Sequence, residues 1–144
     1  MSTRKELLTE LKNKVAEIVA PIPVEIWPGE QAVFNDSLRW PIVYVAYDGL
    51  AADRDMELGG SPQHALWERI FFFSVFVATR DGVDAGYEQA LDLLETLEEA
   101  LTGFVSSVVR AEWSMSAAES LIHAEQRQWL YQQPWQIKSI KERI

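Results

Sequence analysis

The sequence predicts an α+β fold, in which a mixed or antiparallel sheet of about four to five strands carries two main helices packed on it. Three observations lead to this prediction. Residues 69–80 are apolar, β-branched and aromatic, a composition typical of a strand. Residues 3–20 and 84–101 place their leucines and valines at helical spacing. Residues 124–137 alternate with a period of two, which indicates a further strand.

The first helix is predicted over residues 3–20. Its apolar side chains share one stripe and are Leu7, Leu8, Leu11, Val15, Ile18 and Val19. Thr3 and Glu6 have the spacing of a capping box, in which a hydroxyl and a carboxylate each bind a free amide. Pro21 and Pro23 end the helix. We expect this helix to pack on its own sheet, and docking on another copy is the alternative.

Two strands and two loops follow. Residues 24–27 predict a short strand, and residues 41–47 predict a strand that starts at Pro41, where a missing amide does least harm. Residues 30–39 and 48–66 have no clear period, so both are predicted to be loops. A connection as long as 48–66 is usually functional or ordered by a partner. A hairpin tip and an arm that contacts a neighbouring molecule both remain open.

The strand predicted at residues 69–80 is apolar on both faces. One face carries Ile70, Phe72, Phe76 and Ala78, and the other carries Phe71, Phe73, Val75 and Val77. A strand with one face in water alternates apolar and polar residues, so both faces of this strand need cover. The chain is too short to offer many covering helices, and a neighbouring copy is a candidate for part of the cover.

The second helix, residues 84–101, is predicted to have a buried stripe and an acidic stripe. Asp84 is expected to cap its start and Gly103 to end it. The predicted buried stripe is Tyr87, Ala90, Leu91, Leu94, Leu97 and Leu101. Five carboxylates fall within a sector of about 80°, namely Asp84, Glu88, Asp92, Glu95 and Glu99. Either this face is simply solvated, or it is an acidic wall that faces a basic partner or lines a channel.

The closing strand is predicted within residues 124–137. One face carries Arg127, Trp129, Tyr131, Gln133, Trp135 and Ile137, and the other is rich in glutamine. The aromatic face is expected to pack on the core, whereas the amide face is either solvated or hydrogen-bonded to a neighbour. Pro134 indicates an edge or an irregularity. Residues 104–110 read as a strand or a continued helix, and the pairing of residues 104–120 has no clear signal.

Composition argues against several classes of function. The 144 residues carry a net charge of −9 without a strong basic patch, which speaks against sequence-specific nucleic-acid binding and against cationic membrane-surface binding. There is no cysteine, hence no thiolate nucleophile or disulfide. His64 and His123 have no partner motif, so neither a catalytic base nor a metal or other cofactor is predicted. The length suits one domain, residues 1–144, without a transmembrane run or signal peptide.

The strand at residues 69–80, its turn, the helix ending at Gly103 and the closing strand at 128–138 together resemble a known family. They are similar to the small tail-terminator (tail-completion) proteins of long-tailed bacteriophages, most of all to the tail protein family of Mu-like phages and prophages. The resemblance covers most of the chain and concerns element order, size and texture. It implies an α+β fold and a homohexameric ring that caps the tail tube and offers a surface to the head-side connector or neck protein.

That resemblance also implies a virion protein of the tail or neck, assembled in the host cytoplasm, without enzymatic activity and with DNA passing through its lumen. The acidic helix face could line this lumen, because like charges would keep DNA from sticking. Candidate contacts with the tube or a neighbouring subunit are Asp53, Arg54, Asp55, His64, Trp129, Tyr131 and Trp135. Two alternatives stay open: another neck, connector or tail adaptor protein of the same fold, and a small enzyme of unrecognised type.

Overall fold

The computed structural model describes residues 2–34, 40–57, 65–81 and 85–142. The elements are α1 Thr3–Val19, β1 Val24–Ile26, α2 Glu30–Val33, β2 Ile42–Glu57, β3 Ala65–Arg80, α3 Gly86–Leu101, β4 Ser114–Met115, β5 Ser120–Glu125 and β6 Gln128–Glu142. The predicted α+β class is confirmed. The sheet has six strands in the described part of the chain, more than the four or five predicted.

The sheet is mixed, with β3 near its centre. The strand order is β1-β2-β3-β6-β4, and β5 also pairs with β6. β1 runs parallel to β2, while every other described pair is antiparallel. β3 is paired with β2 on one side and with β6 on the other over almost its whole length. The strand with the most apolar sequence is therefore the one with two long neighbours.

Both faces of β3 are buried around its middle, as its sequence predicts. On one face, which we call the helix face, Phe73, Val75 and Val77 join a core built with α1 and α3. On the opposite face, Phe76 and Ala78 join a second, smaller core. Val33 of α2 and the flanking Trp27, Phe34 and Trp40 belong to this second core. The chain itself therefore covers this part of the opposite face, where a neighbouring copy had been a candidate.

α1 packs inside its own chain, against β1, β2 and α3. Its buried residues are Leu7, Leu11, Val15 and Val19. The other two residues of the predicted stripe, Leu8 and Ile18, are partly buried against the same core. The predicted capping box is wrong: the N-cap is Ser2, and its side chain makes no capping hydrogen bond. The amide of Glu6 instead donates to the Ser2 carbonyl at 3.0 Å. Thr3 is the first residue of the helix and therefore follows the capping position.

Both predicted loops contain regular structure. Residues 30–33 form α2, and residues 48–57 continue β2 in antiparallel pairing with β3. Register shifts between Tyr47 and Gly49 and between Asp53 and Met56 interrupt this pairing. Each shift adds an unpaired residue, and the period of two is lost in the sequence. Residues 65 and 66 of the second predicted loop begin β3, whereas residues 35–39 and 58–64 lie outside the described residues.

The start of α3 is tied to the end of β3. The Gly86 amide donates to Asp81 Oδ1 at 2.8 Å, and Thr79 Oγ1 donates to the Gly86 carbonyl at 2.7 Å. Ala85 is the N-cap and makes no side-chain hydrogen bond. The Asp81 carboxylate therefore accepts the bond at the helix start that the sequence predicts for Asp84. Asp84 itself lies outside the described residues. At the other end, Gly103 follows the helix with φ +80, which confirms it as the stop.

Gly86→Ala should lower the free energy of unfolding by about 1–2 kcal/mol. A Cβ there would lie 2.6 Å from the Arg80 carbonyl carbon and 2.9 Å from the Asp81 nitrogen. The backbone at the end of a paired strand cannot shift aside as a flexible side chain can. The steric cost of the added Cβ therefore outweighs the better helix propensity of alanine. Urea unfolding followed by tryptophan fluorescence measures the loss. Thr96→Ala, on the exposed side of α3, is the control and should stay within about 0.5 kcal/mol.

Residues 104–113 return the chain from α3 to the sheet without forming a helix or a long strand. Val105 and Glu112 form a single antiparallel bridge. The Gly103 amide donates to the Trp113 carbonyl at 3.0 Å, and the Trp113 amide donates to the Phe104 carbonyl at 2.9 Å. Trp113 is fully buried in the larger core. This indole and these backbone bonds hold the segment that the sequence left unplaced.

Candidate assembly surfaces

The acidic face of α3 is exposed. Glu88, Asp92, Glu95 and Glu99 are all open to solvent, and no ion pair within the described residues involves them. No lysine or arginine lies between Asp81 and Val109 in the sequence, so α3 has no cation of its own to neutralise this face. The predicted role of the face as a lumen lining or interface stays a prediction.

An exposed apolar set lies beside this acidic face. Tyr87 is 47% exposed and Leu91 is 42% exposed, so their predicted burial was wrong. The residues of α3 that turn to the sheet are Ala90, Leu94, Leu97 and Leu101. At 100° per residue, Tyr87 and Leu91 fall between this buried stripe and the carboxylates.

The strands extend the same apolar surface. The rings of Tyr87 and Trp129 lie 5.9 Å apart, and Leu121 of β5, 49% exposed, pairs with Tyr131 of β6. Burial raises the pKa of the Tyr131 hydroxyl above its ordinary value, and its hydrogen bond with Tyr87 adds to the rise. We call Tyr87, Leu91, Leu121, Trp129 and Tyr131 the aromatic patch.

The predicted contact residues have different positions in the structure. Trp129 and Tyr131 are half-buried and belong to the aromatic patch. Trp135 is fully buried, and its indole N–H donates to Gln133 Oε1 at 2.9 Å, so it is a core residue that no partner can reach. Asp53, Arg54 and Asp55 lie in the second half of β2. His64 lies outside the described residues.

The far end of the sheet forms a second candidate surface. Here residues 49–57 of β2, 65–72 of β3 and 136–142 of β6 pair side by side, and we call them the distal arm. On its opposite face Ile140 is 64% exposed. Ile70 and Phe72 on the same face are half-buried. The sequence does not indicate this surface, because residues 48–57 have no clear period and read as a loop.

Two cationic side chains lie beside the apolar residues of the distal arm, one on each face. Lys138 Nζ lies 3.4 Å from Glu68 Oε1, and the lysine side chain remains 56% exposed. On the helix face of the arm, the Arg69 guanidinium lies 5.0 Å from the centre of the Phe71 ring. The buried Arg69 Nε has no hydrogen-bond partner within the described part of the chain.

A polar cluster separates the covered and uncovered parts of the opposite face. Ser74 Oγ donates to Asp48 Oδ2, and Gln132 Nε2 donates to Ser74 Oγ at 2.8 Å. Partial burial of the Asp48 carboxylate raises its pKa above the usual 3.8, and the Ser74 hydrogen bond offsets part of the rise. A serine nucleophile needs an adjacent base such as histidine, and these bonds supply none. The cluster instead satisfies polar groups on a mostly apolar sheet face.

Asp48→Asn should be as stable as the wild type at pH 7, or more stable by about 0.5 kcal/mol or less. Asparagine keeps an acceptor for Ser74 without withdrawing a charge from water. Because the folded state holds the Asp48 proton more tightly than the unfolded chain, the wild type should gain stability relative to the variant as the pH falls from 7 toward 4. Urea unfolding at several pH values measures this difference. A wild-type advantage that grows with rising pH would contradict the assignment.

Sites for metal binding and membrane spanning can be assessed over the same residues. No group of three or more His, Asp or Glu side chains in the described ranges is arranged to hold a metal ion. His123 packs against the Phe34 ring, with the ring centres 4.7 Å apart. Among the described residues, no hydrogen bond or ion pair joins it to a carboxylate. Among the helices described, none has the length and apolar character needed to cross a membrane.

Comparison with known proteins found a solved structure with a similar fold. The chain is similar to a chain from the virion of a native gene transfer agent (GTA) particle, with a TM-score of 0.54 and 14% sequence identity. The similarity covers 97% of this chain and 92% of that chain. Searches of protein-family models and of curated proteins found no match. At this identity the similarity shows the fold alone: this α+β fold also occurs in a chain of a virion particle.

Proposed function

We propose that this protein is a structural component of a phage-type tail. In this proposal it is a tail terminator: it forms a six-membered ring on the tail tube, ends tube growth and joins the tail to the head-side connector. The observation that carries the proposal is the fold, which a chain of a virion particle shares over 97% of this chain. The order and texture of the sequence elements, which resemble tail-terminator proteins, support the same role.

The mechanism is geometric. Tube subunits add head-to-tail, a heterologous contact that continues until something blocks it. A ring that matches the tube on one side and differs on the other ends this growth and leaves a platform for the head. Such a ring needs exposed surfaces for its neighbours, and buried interface cores are rich in aromatic residues. The aromatic patch and the exposed face of the distal arm are surfaces of this kind.

The acidic face of α3 suits the passage of DNA. If Glu88, Asp92 and Glu95 line the lumen, their charge repels the phosphate backbone and keeps the channel from binding it. The charge of −9 over the whole chain acts in the same direction. A ring structure that places these three residues on its outer surface would exclude this part of the proposal.

Tube growth in the presence of the protein tests the proposal. Candidate tail-tube subunits are polymerised with and without the purified protein, and tube lengths and ends are recorded by electron microscopy. We expect shorter tubes with a ring at one end only. Unchanged tubes, together with binding to connector subunits, would replace the terminator role with that of a neck or adaptor protein. Binding to neither partner would overturn a role in the tail.

A further inference from the structure

We propose that copies of this chain join edge to edge through the distal arm. The outer edge of β2 in one copy pairs with the outer edge of β6 in the next, so that one sheet runs from subunit to subunit. This inference rests on the proposed ring, because it names the contact through which the ring closes. A second copy is the occupant of both edges. Two properties of the described residues carry it: backbone groups left unpaired on both edges, and opposite charge along them.

Both edges of the distal arm are open within the described residues. β3 lies in the middle of the arm, between β2 and β6. On the outer side of β2, β1 pairs only as far as Val45, and on the outer side of β6, β4 pairs only with Trp135 and Gln136. No described strand covers the outer side of residues 49–57 or of residues 137–142. Open edges of this kind are templates for pairing with another chain.

The backbone of β6 turns hydrogen-bonding groups toward its open edge at alternate residues. The Ser116 amide donates to the Pro134 carbonyl at 3.1 Å from the outer side of β6. Because these directions alternate along a strand and β6 pairs with β3 without a register shift, Lys138 and Ile140 also direct their amides and carbonyls outward. No described backbone bond satisfies these groups in a single copy, and a strand of a second copy would.

The two edges carry opposite charge. Residues 49–57 of β2 contain three carboxylates and one arginine, a net charge of −2. Residues 137–142 of β6 contain two lysines and one glutamate, a net charge of +1, and the Lys138 side chain is 56% exposed beside Glu68. The middle strand of the arm adds Glu68 and Arg69, whose charges balance. In an edge-to-edge pair, side chains on both faces gain cross-strand neighbours, so the net charge of each whole strand counts.

These charges favour a contact between unlike edges. Two β2 edges would set carboxylates against carboxylates and two β6 edges would set lysines against lysines, whereas β2 against β6 brings opposite charges together. Both edges belong to one three-stranded sheet, so every copy offers one of each. A contact between unlike edges is heterologous, and repeated around an axis it closes into a ring. This is the symmetry that a terminator ring requires, and no edge of the arm is left over when the ring closes.

Charge reversal of one edge at a time tests this pairing. Lys138→Glu/Lys141→Glu makes both edges acidic, and Asp53→Lys/Asp55→Lys makes both edges basic. Each variant alone should self-associate about tenfold more weakly than the wild type, or weaker still. An equimolar mixture should regain the wild-type mass with the two variants alternating, because each β6 edge then meets a β2 edge of opposite charge. Separate chains cannot repair one another's folding, so this recovery reports the contact itself.

Lys5→Glu/Lys12→Glu is the matched control for the charge reversals. It makes the same change in net charge as Lys138→Glu/Lys141→Glu, but at two lysines of α1 outside the arm. Its self-association should equal that of the wild type. Circular dichroism verifies that each variant keeps the fold.

A proline on the open edge of β6 tests whether backbone hydrogen bonds form the contact. Ile140→Pro removes one outward amide and no bond to β3, and β6 already accommodates a proline of the same phase at Pro134. It should weaken self-association by about tenfold or more. The matched control is Leu121→Pro. Leu121 pairs with Tyr131, whose own backbone groups turn to β3, so the Leu121 amide points to the open side of β5, and its loss should leave self-association unchanged.

The outcomes separate this inference from the proposed function. Native mass is measured on every variant, alone and with tail-tube subunits. A ring that tolerates either charge reversal on its own, or a mixture of the two variants that regains no association, overturns the inference and leaves the terminator role standing. A ring that tolerates Ile140→Pro overturns it as well, since the backbone edge is then not the contact. A wild-type protein that remains a monomer with tube subunits present overturns both.

Discussion

Trp113→Ala should lower the free energy of unfolding by about 3–5 kcal/mol, the cost of removing a large aromatic side chain from a core. The indole is fully buried and lies edge-on to Phe73 of β3, with ring centres 5.3 Å apart. Its N–H also approaches Glu10 Oε1 of α1 at 3.5 Å. The indole therefore joins the sheet, α1 and the segment of residues 104–113, and alanine would leave a cavity at their junction.

Urea unfolding followed by far-UV circular dichroism measures this loss. Trp129→Ala is the matched control, because Trp129 is a half-buried tryptophan at the surface; its loss should be about 1–2 kcal/mol. Equal losses for the two variants, or a loss under about 1 kcal/mol for Trp113→Ala, would contradict the burial assigned to the indole.

Gln133→Leu should destabilise the protein by about 2–3 kcal/mol even though leucine is more apolar. Gln133 is fully buried. Its Nε2 donates to the Leu94 carbonyl at 3.0 Å and to Glu119 Oε1 at 2.9 Å, and its Oε1 accepts from the Trp135 indole at 2.9 Å. Leucine would leave the buried Trp135 N–H without an acceptor, and an unpaired buried donor carries its full desolvation cost.

The control for this substitution lies three residues further along β6. Gln136 is half-buried on the opposite face, and its described side-chain bond to Ser114 Oγ is long, at 3.5 Å. Gln136→Leu should therefore change the free energy of unfolding by about 0.5 kcal/mol or less. Thermal unfolding measures the change in stability of both variants. A Gln133→Leu protein as stable as the wild type would show that the amide hydrogen bonds make no net contribution to stability.

Elements with a strong period were predictable from the sequence. β3 was identified with both faces buried because apolar residues occupy consecutive positions, and α1 because six aliphatic residues share one stripe. The stripe of α3 was predicted too wide. Helical spacing finds an apolar sector but does not tell which edge of it turns to the sheet, so Tyr87 and Leu91 were assigned to the core.

Other parts of the fold depend on contacts that leave no local pattern. The second half of β2 is a strand because β3 pairs with it, and its two register shifts erase the alternation. The cover of the opposite face comes from a four-residue helix and from single aromatic residues such as Trp27, whose ring stacks 3.7 Å from Phe76. Such isolated residues have no period. The exposed face of the distal arm could therefore be recognised only once the strands were paired.

The native mass of the purified protein, measured by sedimentation equilibrium alone and after mixing with tail-tube subunits, tests the proposed ring most directly. Ring closure predicts a species of six times the 16.4 kDa chain mass, either in the isolated protein at high concentration or when the tube acts as a template. A mass that stays at 16.4 kDa in every mixture, with the tube sedimenting unchanged, would contradict it.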